Sequence, residues 1–133
     1  EFMRAVGASE RVFELLDRRP EINITGGITI EHLEGKITFN NVGFSYPSRS
    51  DIPIVKNFSL ELKPGTVTAL VGPSGGGKTT VALLILRLYD AQEGDIYIDD
   101  TMLTAVDPKW LREQIGFVSQ EPVLFNTSIK ENI

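Results

Sequence analysis

The chain has 133 residues, 41% of them hydrophobic and 23% charged, with a formal net charge of −5 and no cysteine. Such a composition is that of a soluble globular domain or part of one, and it excludes a disulfide framework and thiol chemistry. The acidic balance argues against broad electrostatic binding to nucleic acid. No stretch reaches 18 apolar residues, so the chain is not expected to span a membrane itself, and no secretory signal is legible. The one histidine, His32, lies between Glu31 and Glu34 and reads as a solvated surface residue.

In chain order, Ser9 to Arg18 reads as a short helix, with Ser9 as N-cap, an apolar face of Val12, Phe13, Leu15 and Leu16, and Pro20 as terminator. Glu21 to Leu33, with Gly26-Gly27, reads as a linker. Lys36 to Tyr46 alternates Ile37, Phe39, Val42 and Phe44 as a half-buried strand does, with Asn40-Asn41 interrupting the alternation. Ser48 to Asp51 is a turn, and Ile54 to Leu62 a second strand with Phe58, Leu60 and Leu62 on one face. After Lys63-Pro64-Gly65, the β-branched run Thr66 to Val71 predicts a buried strand. Thr79 to Tyr89 predicts a helix through Val81, Leu84, Ile85 and Leu88. Gly94 to Asp99 predicts a strand, and Met102 to Val106 a weaker one. Asp107-Pro108 opens a helix, since Asp caps and Pro suits the first helical position. Ile115 to Ser119 predicts a further strand ending at Gln120, and Ser128 to Ile133 the first turn of another helix.

Between the Thr66–Val71 strand and the long helix lies Gly72-Pro73-Ser74-Gly75-Gly76-Gly77-Lys78-Thr79, which satisfies G-x-x-x-x-G-K-[ST] at every fixed position. The pattern suits phosphate binding for a local reason. A helix N-terminus leaves unpaired N–H groups and partial positive charge, and glycines let successive N–H groups face inward with no Cβ in the way. Lys78 would reach the β- and γ-phosphates, and the Thr79 hydroxyl would take Mg²⁺. The plainer alternative is a glycine-rich turn that caps an ordinary helix; the flanking strand and helix favour the phosphate loop.

A phosphate loop by itself serves kinases, GTPases, motors and transport ATPases. Three more segments narrow the choice: Val42-Gly43-Phe44-Ser45-Tyr46-Pro47, then Leu86-Arg87-Leu88-Tyr89-Asp90, then Ile115-Gly116-Phe117-Val118-Ser119-Gln120-Glu121-Pro122 with Leu124-Phe125. Taken together they closely resemble the nucleotide-binding domain of ATP-binding cassette (ABC) transporters, of the exporter type that includes multidrug, peptide and mitochondrial half-transporters. The resemblance runs from Ser9 onward. It implies an α/β fold: a P-loop NTPase core of strand, loop and helix, with an amino-terminal antiparallel β subdomain, truncated before the helical subdomain and the later core strands. It divides the chain into a linker and short helix (1–35), a β subdomain (36–63), a P-loop core portion (64–120) and the start of a helical subdomain (121–133).

By position, the resemblance implies that Tyr46 stacks on adenine, that Ile54 packs near the adenosine, and that Gly72, Ser74, Gly75, Gly76, Gly77, Lys78 and Thr79 form the phosphate cradle. Thr80 would contact the α-phosphate. Gln120 would help coordinate Mg²⁺ together with Thr79, sense the γ-phosphate and link to the membrane domain. For Tyr46 the alternative is a ring that simply packs at a strand end. Glu121 does not match the family's catalytic base. Gly76 and Thr79 replace common serines, while Ala91 and Asp100 stand where Pro and Gly are frequent; none of these endangers binding. The implied ligands are ATP or ADP and Mg²⁺. The implied partners are the signature motif of a second nucleotide-binding domain and the parent's transmembrane domain. The parent would sit in a membrane with this domain on the cytosolic or matrix face, and the wording around Gly75 to Thr80 resembles mitochondrial half-transporters among others.

No Ser-Gly-Gly-Gln signature, apolar strand ending in Asp followed by a catalytic Glu, or switch His follows Gln120. Lys78 and Gln120 would contribute to hydrolysis in the parent, but this stretch alone is expected to bind nucleotide without turnover, because in-line attack needs a positioned water and charge stabilisation beyond the loop. Parallel strands without neighbours are also expected to expose apolar edges, making the stretch marginal, self-associating or altered in topology. Two other readings stand beside the transporter: a stand-alone P-loop kinase or NTPase, for which no acceptor site or lid is visible, and a non-catalytic binding module.

Overall fold

The computed structural model describes residues 10, 12–18, 20, 22–23, 25–120 and 124–132. Strands β1 (Ile37–Phe44), β2 (Val55–Leu62), β3 (Glu93–Ile98) and β4 (Thr101–Met102) form one sheet in the order β2-β1-β3-β4, with every pairing antiparallel. Helices α1 (Lys78–Ile85) and α2 (Pro108–Glu113) pack on it, and a last short helix α3 spans Ile129–Asn132. The expected mixed α/β architecture with an antiparallel β portion is therefore present.

β1 holds the core because its alternation puts Phe39, Val42 and Phe44 on the inner side, all nearly or fully buried. They meet Val81 and Leu84 of α1, Ile96 and Ile98 of β3, and Leu111 of α2. Each such side chain removed from water contributes about 1.5–3 kcal/mol. The alternation breaks at Asn40-Asn41, where the register shifts against both β2 and β3. Asn41 takes φ 50°, and Ser59 of β2 closes the irregularity: the Asn41 N–H donates to Ser59 Oγ (2.9 Å) and the Ser59 hydroxyl to Asn41 Oδ1 (3.1 Å). The bulge lets Val42 and Phe39 face the same core although three residues apart.

The segment read as a linker is partly docked. Residue 28 makes an isolated parallel bridge with Val106, through Ile28 N–H to Ala105 O and Asp107 N–H to Ile28 O, both 2.9 Å. Gly27 permits this approach, because a Cβ there would stand 2.7 Å from the Ala105 carbonyl oxygen. Asp107 joins the two strips. Its Oδ1 accepts from the Trp110 N–H (2.8 Å), capping α2 as predicted, and its Oδ2 accepts from the Gly26 N–H (2.7 Å). These bonds, Trp110 first and Gly26 second, hold its carboxyl below its ordinary value of 3.8.

α1 ends at Ile85, four residues before the predicted Tyr89. The reason is a left-handed turn. Arg87 takes φ 50°, its N–H bonds to Leu84 O and that of Leu88 to Leu83 O, both 3.0 Å, which is the paired closure that usually uses glycine. A non-glycine residue is held there by its side chain: Arg87 Nε donates to Asp90 Oδ1 (3.1 Å) and Nη1 to Val106 O (2.7 Å). Arg112 of α2 then donates to Leu86 O (3.0 Å) and Arg87 O (2.8 Å), completing the helix end.

Two predicted strands do not form. Thr66 to Val71 and Ile115 to Ser119 have no strand pairing, Val67 is fully exposed, and Val71 and Val118 are 93% and 89% exposed. Strand propensity is realised only against neighbours, and the sheet among the described residues is filled by β1 to β4. Neither segment joins a parallel sheet among the described residues, and the expected exposure of apolar residues is present. Met102 to Val106 gives only the two-residue β4 and a 3₁₀ turn, Leu103–Ala105. Residues 12–16 are helical, whereas the proposed Ser9 cap lies outside the described residues, as does Glu121. At the start of α3, Glu131 Oε2 accepts from both the Ser128 N–H and hydroxyl, the carboxylate half of a capping box. His32 is exposed, and no described helix is long and apolar enough to cross a membrane.

Two measurements follow from this arrangement. Amide exchange is expected to protect Phe39, Val42 and Ile96 strongly while Val67, Val71 and Val118 exchange at unstructured-loop rates; uniform protection of all six would contradict the sheet described. Asp107→Ala is expected to lower the urea midpoint at neutral pH. Because the folded-state pKa of Asp107 is depressed, its ionic contribution is full above 3.8 and is lost as pH falls through the lower folded value, so the gap between variant and wild type should narrow below that pH.

Candidate nucleotide site

The glycine loop curls by local conformations that L side chains rarely adopt: Gly75 and Gly77 take φ 78° and 79°. The Gly76 N–H closes a turn onto Pro73 O at 3.1 Å. Gly77 stands at the N-cap of α1, so no side chain satisfies the first-turn donors, and the first intrahelical bond, Val81 N–H to Gly77 O, is 3.0 Å. The N–H groups of Lys78, Thr79 and Thr80 are therefore left for another acceptor, with the positive end of the helix dipole behind them.

Lys78 is folded onto its own loop. Its Nζ donates to Gly72 O (2.9 Å) and Pro73 O (2.6 Å). Gly72 thus does not face the cleft but supplies a resting acceptor for the ammonium. Charge-assisted bonds to an anion are stronger than those to neutral carbonyls, so an incoming phosphate has a physical means of drawing the ammonium away.

Tyr46 reaches the same place from the sheet. The Gln92 amide clips the backbone just before it, accepting from the Ser45 N–H (2.8 Å) and donating to Ser45 O (3.0 Å). The Tyr46 hydroxyl shares a 2.9 Å hydrogen bond with Thr80 Oγ1 in the first turn of α1. Its ring contacts Phe44 and Tyr89 edge-on, with centroids 5.1 and 5.3 Å away.

These parts converge on one cleft of about 540 Å³, lined by Ser74 to Thr80 together with Tyr46, Ile54 and Gln120. Every residue singled out from the sequence lines it except Gly72, and the volume is within the range of small-molecule sites. A larger cavity of about 700 Å³ adjoins Tyr46 and holds Arg87, Tyr89 and Arg112. It contains no part of the glycine loop, and of its three guanidinium groups, those of Arg87 and Arg112 are already engaged by Asp90 and by backbone carbonyls, while Arg18 is exposed. The smaller cleft is the one that the glycine loop, Lys78 and the open first turn of α1 line. The sequence reading had no signal for the Tyr46–Thr80 bond or the Gln92 clip, because both join residues more than 30 positions apart.

The fold and cleft define a class, a mixed α/β domain whose glycine loop opens a helix beside an antiparallel sheet. Residues 55–132, more than half of the chain, match the family model described as ABC transporter, and the chain belongs to that family. It is 50% identical over 133 residues to ABC transporter B family member 1 of Dictyostelium discoideum, covering 100% of this chain and 15% of that protein. It is 54% identical over 134 residues to the mitochondrial potassium channel ATP-binding subunit of Rattus norvegicus, covering 98% of this chain and 19% of the relative. Among solved structures, a bacterial Atm1-family ABC exporter with ATP bound superposes with a TM-score of 0.78 at 35% identity, over 93% of this chain and 22% of the other. The chain thus spans between 15% and 22% of the lengths of these three proteins.

Proposed function

We propose that this chain is the amino-terminal part of the nucleotide-binding domain of an ABC exporter, and that it binds ATP or ADP with Mg²⁺. The observation that carries the reading is the convergence of the free helix donors, the Lys78 ammonium, Tyr46 and Gln120 on one cleft. The structural similarity to an exporter with ATP bound supports it. In this reading residues 1–35 precede the ATPase domain, 36–63 begin the β subdomain, 64–120 carry the core portion and 121–133 begin the helical subdomain. Within the 64–120 portion, β3 pairs antiparallel with β1, the strand that begins the β subdomain, and β4 with β3.

Each part has a physical task. Tyr46 offers a ring for adenine, beside Ile54. Gly75 to Thr80 offer N–H groups to the phosphates, and Lys78 exchanges the Gly72 and Pro73 carbonyls for phosphate oxygens. The Thr79 hydroxyl and the Gln120 side-chain oxygen are hard donors of the kind that holds Mg²⁺. When bound with nucleotide, the ion supplies charge neutralisation at the phosphates.

The complete protein would couple ATP binding and hydrolysis to transport, with the signature motif of a second nucleotide-binding domain and a transmembrane domain as partners. The domain would face cytosol or matrix, and the mitochondrial relative supports a mitochondrial parent. Turnover by this stretch alone is not expected, since among the described lining residues no carboxylate is placed to activate water.

Calorimetric titration with MgATP tests the reading. Wild type should bind, Lys78→Ala should weaken binding at least tenfold through loss of charge-assisted bonds, and Tyr46→Ala should cost about 1–3 kcal/mol through loss of stacking. No binding by wild type, or binding indifferent to both changes, would sink it; phosphate release lost on Lys78→Ala would overturn the absence of turnover.

A further inference from the structure

We propose that Tyr89 is a positioning residue for nucleotide binding: its ring fixes Tyr46 edge-on at the mouth of the phosphate cleft. This rests on the nucleotide-binding reading above and adds to it a residue outside the cleft. Three rings form a closed cluster. Phe44 and Tyr46 stand 5.1 Å apart at 82°, Tyr46 and Tyr89 5.3 Å apart at 86°, and Phe44 and Tyr89 5.4 Å apart at 54°. Near-perpendicular contacts at these separations are the favoured geometry for aromatic pairs.

Phe44 and Tyr46 come to the cluster together, two residues apart at the end of β1. Tyr89 comes from a separate element, and its placement depends on the left-handed closure of α1. Arg87 and Asp90, paired at 3.1 Å, flank it, and the Leu88 N–H to Leu83 O bond turns the chain so that residue 89 meets the sheet. The opposite end of the same helix holds the other end of Tyr46, through the Thr80 hydroxyl at 2.9 Å. Tyr46 is thus gripped by its ring from beyond the last turn of α1 and by its hydroxyl from the first turn.

Tyr89 lines the cavity adjoining the cleft and not the cleft itself, whereas Tyr46 lines both. Any effect of Tyr89 on nucleotide must therefore pass through Tyr46. A stacking ring that is already fixed loses less freedom when a base arrives, which raises affinity without adding a contact to the ligand. The plain alternative is that Tyr89 only fills space beneath the sheet. The two differ in one respect: positioning acts on the base-binding end of the site and leaves the phosphate-binding end alone.

The experiment compares MgATP with magnesium tripolyphosphate, which has the phosphates and no base, by calorimetry on wild type, Tyr89→Leu and Tyr89→Phe. Tyr89→Leu should weaken MgATP on the order of 3- to 10-fold and leave tripolyphosphate unchanged. Tyr89→Phe should restore MgATP affinity, because the ring contacts remain. In a Tyr46→Leu background, Tyr89→Leu should have no further effect on MgATP. Equal loss of both ligands in Tyr89→Leu assigns the residue to general stability and overturns the proposal, as does unchanged MgATP affinity. If wild type binds tripolyphosphate but gains nothing from the base, the stacking role of Tyr46 fails and the proposal with it; if wild type binds neither, the nucleotide reading itself falls.

Discussion

The burial of β1 is the constraint on which the rest of the structure depends. It runs between β2 and β3, and its inner side chains Phe39, Val42 and Phe44 are the floor onto which α1 and α2 pack. The Asn40–Asn41 bulge is part of that function. Without the extra residue, strict alternation from Phe39 would turn Val42 outward and move Phe44 off the face that receives the helix. Because Tyr46 lies only two residues beyond Phe44, the register of β1 also sets where that ring stands relative to the glycine loop. Core packing and site geometry are one problem here.

α1 links the two. Its ends are treated oppositely, and the contrast has a physical sense. At the C-terminal end, the closure at Arg87 takes the Leu83 and Leu84 carbonyls, and Arg112 reaches across from α2 to those of Leu86 and Arg87. The N-terminal donors have a glycine for a cap and no side chain to satisfy them. A helix tied at one end and open at the other presents its positive pole to whatever anion enters the cleft. Arg87 in a left-handed conformation is strained relative to glycine, yet its side chain also reaches Asp90 and the Val106 carbonyl, which a glycine would not. The strain is offset by tying the helix end to the loop before α2.

Much of this was legible in the residues. The alternation of Ile37 to Phe44 and of Val55 to Leu62, the cap at Asp107 and the glycine loop all act through neighbours near in sequence, so pattern alone located them. Thr66 to Val71 and Ile115 to Ser119 show the opposite case. Their β-branched and apolar runs have strand propensity, but propensity for a buried parallel strand is a statement about two flanking strands that the described sheet does not provide. The early end of α1 was illegible for a related reason: nothing local marks Arg87 as a helix terminator, and its conformation is fixed by Val106 and Asp90.

The cleft itself combines both kinds of information. Its loop half is short-range, since Ser74 to Thr80 line it and the Gly72 and Pro73 carbonyls just before them park the Lys78 ammonium. Its aromatic half is long-range, since Tyr46 is placed by the bulged β1, by Gln92 from the entry to β3, and by Thr80 from α1. A glycine loop of this kind can form wherever a helix begins. What distinguishes this one is a sheet that delivers an aromatic ring to the same helix turn, and that delivery depends on contacts separated by 34 to 47 positions along the chain. In the proposed nucleotide reading, selectivity for a nucleotide over a bare polyphosphate would reside in the packing of the sheet against α1, and perturbing that packing should alter base recognition before it alters the phosphate cradle.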